Sequence, residues 1–241
     1  MSQPSARLTF PDLRNFRLVR VRGYRRVFAS PHLFLIRRGV VDPHATLRLA
    51  TLSAEPVPKN TDKSNCNGGS EGGAMRRTSF VAAAFEVELD AEQRAAFVAR
   101  EPEYAFAAVP FEPLSPTAVV TEPGAAAAAT ECSDDNLGVL CIASTDAALR
   151  RHRRIGAPAD FGLSSIWHWH QDSGLLPCDV YLRHVLLAVR KAGAAAEESF
   201  MEDTLLCDRR TTLAQYLATS AQQDAVMCAE PPLDLAARFN G

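Results

Sequence analysis

The chain has 241 residues, 47% hydrophobic and 22% charged, with a formal net charge of -2 and a pI near 6.3. That balance is ordinary for a soluble globular protein and excludes a polycation. No apolar run approaches the ~20 residues needed to cross a bilayer, and MSQPSARLTF at the N-terminus lacks the apolar core of a signal peptide.

In chain order, the first elements are short and apolar. LVRV (18–21) alternates apolar and basic residues, as a half-buried strand does. With RGYRRVF (22–28) it reads as a strand pair around a Gly-Tyr turn. LFLI (33–36), LRLATL (47–52), FVAAAFEVEL (80–89), YAFAAVPF (104–111) and LGVLCIA (137–143) follow, most bounded by Gly or Pro or rich in β-branched and aromatic residues. The sum is five or six strands, with one helix between the fourth and fifth. That helix begins at Asp90, where Asp90 and Gln93 form a capping box, and ends before Pro102, since the residue preceding a proline is pushed out of the α region. Glu101 therefore sits at the helix terminus, on the same face as Phe97.

Two stretches read as mobile surface insertions, 53–78 and 115–136. The first is rich in Gly, Ser and Asn, the second in Pro and Ala and then acidic. The last hundred residues read as helical over about 178–221. CDVYLRHVLLAVRKAG (178–193) has near-helical apolar spacing and a stop at Gly193, a second helix covers about 196–206, and a third starts at Asp208 as N-cap. Strands first and helices after indicate an α+β domain over 1–241.

The six cysteines, at 66, 132, 141, 178, 207 and 228, form no CxxC pair. Their gaps match neither a zinc site nor a disulfide framework. Reduced thiols in a cytoplasmic protein are the consistent reading.

Three constellations invite a chemical reading. Ten Arg against two acids, Asp12 and Asp42, in residues 1–50 offer material for phosphate contacts, but no nucleic-acid-binding module accompanies them. WHWHQD (167–172) would align His168, His170 and Asp172 if it were a strand, yet Ser-rich and Gly-Pro flanks favour a loop, and no metal is expected. G-x-S-x-G, the P-loop and G-x-G-x-x-G are absent. The third constellation is FVAREPEYAFAAVPF (97–111), in which Glu101 stands between a helix end and an apolar strand. Spacing alone reads it as a surface acid paired with Arg100.

Three segments in order resemble the γ-glutamylcyclotransferase superfamily, its ChaC-like branch in particular: RGYRRVF (22–28), FVAREPEYAFAAVPF (97–111) and CDVYLRHVLLAVRKAG (178–193). The resemblance implies a small mixed β-barrel with flanking helices. It implies conversion of a small γ-glutamyl amine, such as glutathione or a γ-glutamyl amino acid, into 5-oxoproline and a free amine. Glu101 falls at the family's general acid/base position; Tyr181 matches the family's Tyr and, with Tyr104, is a candidate for substrate contact, a core position on the helix face being the other reading of Tyr181. No cofactor is implied. The family's Tyr-Gly-Ser-(Leu/Asn) turn after its first strand has no counterpart in this sequence. That departure keeps a second reading open, a non-catalytic binding module on the same fold. A third is an RNA-binding protein using the Arg-rich strands.

Overall fold

The computed structural model describes residues 6–7, 9–58, 78–114, 136–152, 155–167 and 169–241. It is a mixed α+β structure with two curled four-stranded sheets and several helices. The strands are β1 (Arg14–Arg22), β2 (Tyr24–Pro31), β3 (Arg48–Pro56), β4 (Ser79–Glu86), β5 (Ala105–Pro113), β6 (Leu137–Ile142), β7 (Leu176–Pro177) and β8 (Thr204–Leu205). The helices are α1 (Leu33–Arg37), α2 (Ala91–Arg100), α3 (Asp146–His152), α4 (Asp179–Ala192), α5 (Ala194–Glu202), α6 (Leu213–Tyr216), α7 (Ser220–Met227) and α8 (Ala236–Phe239).

One sheet has the order β4-β1-β5-β6 and the other β7-β3-β2-β8. β1 and β2 are consecutive but do not pair. Gly23, at φ 76°, turns the chain from one sheet into the other. Its N–H donates to Thr78 O and its carbonyl accepts from Val57 N–H, so the corner is tied to the ends of β3 and β4. The expected strand pair at the Gly-Tyr turn is thus a corner rather than a hairpin. Across the other end, Ala143 N–H donates to Ala54 O at 2.8 Å and links the end of β6 to β3. The space between the sheets holds Val21, Ala54, Phe80 and Val109, with Leu140 and Ile142 against them.

The larger core lies on the other side of the second sheet. Leu182, Val185 and Leu186 of α4, Phe200 of α5 and Leu213 of α6 pack there with Phe28, Leu49 and Trp167. α4 delivers these residues because its apolar positions recur at helical spacing. At Gly193, with φ 104°, α4 ends and α5 begins.

Arg26 ties this layer to both sheets. Its guanidinium is partly buried and donates to Thr204 Oγ1 at 2.7 Å, Val81 O at 3.0 Å and Ser199 O at 2.9 Å. It also lies 5.1 Å from the Phe80 ring centre and 4.9 Å from that of Phe200. Burial lowers its pKa to about 10, against the pull of the Asp203 charge. Asp203 in turn accepts from Ser199 Oγ at 2.7 Å.

Several expectations are corrected. LFLI (33–36) is helix α1, not a strand. Pro31 closes β2, and one helical turn then lets Leu33 enter the main core while Leu35 packs under the C-terminal segment. A four-residue apolar run carries no period that separates the two states. Residues 53–56, placed in an insertion, complete β3. Residues 59–77 of that insertion, and 115–135 of the other, lie outside the described residues. The helix expected over 196–206 ends at Glu202 and is followed by β8. Asp208 closes a turn through Arg210 N–H and Thr211 N–H. The N-cap of the next helix is Thr212, in a capping box with Gln215.

Candidate acid site at the end of helix α2

α2 is built as the sequence indicates. Gln93 N–H donates to Asp90 Oδ1 at 2.8 Å, and Asp90 N–H donates to Gln93 Oε1 at 3.0 Å. Phe97 packs its ring 5.5 Å from Phe106 of β5 and 5.7 Å from Phe10. That contact docks the helix on the outer face of the first sheet. Glu101 is the C-cap residue, and Tyr104 N–H donates to Glu101 O at 3.3 Å to close the turn into β5.

The Glu101 side chain is 29% exposed, and Arg100 Nε lies 3.4 Å from its Oε1. Burial raises the pKa of Glu101 above the usual carboxylate range, against the pull of Arg100. Glu103, two residues on, is a residue that sequence reasoning missed. Burial pushes its pKa up to about 7, and the nearby Glu101 charge pushes the same way. The signal was present as Glu-Pro-Glu, since a proline between two acids holds both in one non-helical turn.

Two phenols converge beside these acids. Tyr104 Oη donates to Leu52 O at 2.9 Å, and the Tyr181 ring stands edge-on to His32 at 4.9 Å. Burial raises both tyrosine pKa values, with the charge of Glu101 adding to each. Both remain protonated at neutral pH. Glu101, Tyr104 and Tyr181, expected as one group, thus come within reach of each other's charge, although they lie on α2, the start of β5 and α4.

Trp167 completes the wall. Its indole N–H donates to Glu103 O at 2.9 Å, and its ring meets Tyr104 edge-on at 5.7 Å. Asp146 holds this segment by accepting from Ile166 N–H at 3.2 Å and Trp167 N–H at 2.7 Å. Cys141 of β6 is the adjacent thiol. Burial, reinforced by Glu101 and Glu103, pushes its pKa up to about 12, so it is no nucleophile at neutral pH. Glu101, Glu103, Tyr104 and Tyr181 are each only partly buried, so together they form a rim that solvent reaches. The groove lined by Ala91, Arg94, Ala95, Val98 and Ala99 runs along α2 without including the acids.

The other sequence candidates are placed elsewhere. Among the described residues, no group of three His, Cys, Asp or Glu is arranged to hold a metal. His170 and Asp172 occupy an exposed turn, 3.4 Å apart, and His168 lies outside the described residues. Six of the ten N-terminal arginines meet acids from later in the chain: Arg14 with Glu88, Arg17 with Glu86, Arg22 with Glu112, Arg25 with Glu55, Arg38 with Asp234 and Arg48 with Asp179. The local basic excess is therefore balanced across the sheets. Cys141, Cys178, Cys207 and Cys228 are free thiols. No helix of the described residues is long and apolar enough to cross a membrane.

Compared with known proteins, this chain matches no family model, no curated protein and no solved structure.

Proposed function

We propose that the chain is a γ-glutamylcyclotransferase-like protein of the ChaC-like type, with the two curled sheets as its barrel and the end of α2 as its active site. One observation carries the reading. Glu101 is held half-buried at a helix terminus, its proton affinity raised by burial, within charge reach of Tyr104 and Tyr181. This is the setting a carboxylate needs to take up and return a proton near neutral pH.

The chemistry would run within one substrate. The α-amine of a γ-glutamyl compound gives a proton to Glu101 as its nitrogen attacks the γ-carbonyl carbon. The new C–N bond closes the five-membered ring. The original amide C–N bond then breaks, and Glu101 returns the proton to the departing nitrogen. 5-Oxoproline and a free amine result, with no external reactant. Tyr181, kept protonated, is a donor for the oxygen that gains charge in the intermediate. The hydroxyl hydrogen of Tyr104 is already committed to Leu52, so Tyr104 serves to line the site.

A second reading, a binding module on the same scaffold, is favoured by the Arg100–Glu101 ion pair, which a solvent-facing structural acid would also form. One experiment decides between them. The protein is incubated with glutathione and with γ-glutamyl amino acids, and 5-oxoproline is assayed. Product from the wild-type chain that disappears in Glu101→Gln supports the cyclotransferase; no product, or product undiminished in that variant, sinks it.

A further inference from the structure

Two arginines border the same rim, and neither has an ion pair or hydrogen bond among the described residues. Arg37, the last residue of α1, lies with its guanidinium 4.6 Å above the Phe161 ring. Arg238 of α8 lies 4.2 Å above the ring of Phe34. Phe34 and Arg37 are three residues apart on α1 and so share a face of that helix. The two guanidiniums therefore flank one face of α1.

The contrast with neighbouring cations is informative. Arg38 pairs with Asp234, Arg48 with Asp179, and Arg209 with Glu55. Arg37 and Arg238 instead stack on rings, which fixes the guanidinium planes and leaves their N–H edges available. Both lie within charge reach of Glu103, and Arg238 also of Glu101. With Arg100 already beside Glu101, the rim carries three cations against two acids. An anion entering here meets attraction even when both acids are ionised.

A ring path connects this face to the phenols. His32 lies 6.4 Å from Phe34, 5.8 Å from Phe239 and 4.9 Å from Tyr181, centre to centre. Burial lowers the His32 pKa to about 3, so it adds no charge at neutral pH.

We propose that Arg37 and Arg238 together bind the carboxylate of the ligand that sits against Glu101. The ligand class is then a small acid carrying a free carboxylate one short chain away from the group that exchanges a proton. The identity of that second group rests on the cyclotransferase reading; the carboxylate grip does not.

The test uses glutarate, a dicarboxylate that cannot cyclise, and glutaramide, its uncharged diamide, titrated by calorimetry into the full chain. Glutarate is expected to bind and glutaramide not. Arg37→Met and Arg238→Met are each expected to weaken glutarate about tenfold or more, the loss of a charge-assisted hydrogen bond. Arg37→Lys and Arg238→Lys keep the charge without the fork and are expected to fall between. Absence of glutarate binding, equal binding of diacid and diamide, or unchanged affinity in the folded Met variants overturns the proposal. Since glutarate is never turned over, a chain that binds it through these arginines yet releases no 5-oxoproline keeps this site and loses the cyclotransferase.

Discussion

The Phe97 and Phe106 rings lie 5.5 Å apart, and this contact sets where Glu101 stands. Phe97 is one helical turn before Glu101, so docking its ring on β5 carries the acid to the start of that strand. Phe97→Ala removes a half-buried ring and its aromatic pairing, expected to cost about 1.5–3 kcal/mol in urea denaturation. The same variant is expected to lose 5-oxoproline formation more steeply than stability, because the acid is released from its seat. Activity that tracks only the folded fraction would separate the two roles.

Glu101→Gln keeps the shape of the side chain and removes its proton exchange. The expected outcome is a fall of about 100- to 10,000-fold in turnover with unchanged folding. Single-turnover assay of 5-oxoproline alongside circular dichroism checks both halves.

Glu103 makes stability depend on pH in a defined direction. Its folded pKa of about 7 lies above the ordinary 4.5, so the folded chain holds the extra proton between those values. Its favourable share of stability is present below pH 4.5 and is lost as pH rises to about 7. Glu103→Gln removes that loss. The variant is expected to be more stable than wild type by about 1–3 kcal/mol at pH 8, the shift discounted for partial solvent screening, with the gap closing at pH 5. A gap independent of pH would show that Glu103 is not the titrating group.

Arg26 has a larger structural effect. Arg26→Met strips the donor from Thr204 Oγ1, Val81 O and Ser199 O and removes a charge that attracts Asp203. Leaving these acceptors without their donor is expected to cost about 2–4 kcal/mol. Arg26→Met combined with Asp203→Leu is expected to recover part of it. Additive losses in the double variant would contradict that coupling.

The α2 cap is local and its effect correspondingly small. Asp90→Ala deletes the acceptor of Gln93 N–H and is expected to cost about 1 kcal/mol. Hydrogen exchange in the first turn of α2 should quicken while the core strands keep their protection.

Much of the architecture was legible in the chain itself. Asp90, Gln93 and Pro102 delimit α2 through side-chain capping and proline sterics, which are local effects. The apolar spacing of 180–189 delimits α4 for the same reason. Local signals failed where a short apolar run had no period, as at LFLI, or where a side chain had two uses, as at Asp208, whose carboxylate closes a turn four residues before Thr212, the N-cap of the helix it was expected to cap. Tertiary structure alone decided the rest. Gly23 reads as a turn residue, but only the positions of Thr78 and Val57 make it a corner between sheets. Position alone read Glu101 as a helix-end acid and the resemblance made it a candidate, whereas the proton affinity of Glu103 depends on burial and on the charges of Glu101, Arg37 and Arg238. Arg37 and Arg238, two hundred residues apart, come to flank one face of α1 only when the C-terminal segment folds onto that helix. Charge and burial act through space, and the neighbours that set them here are distant along the chain.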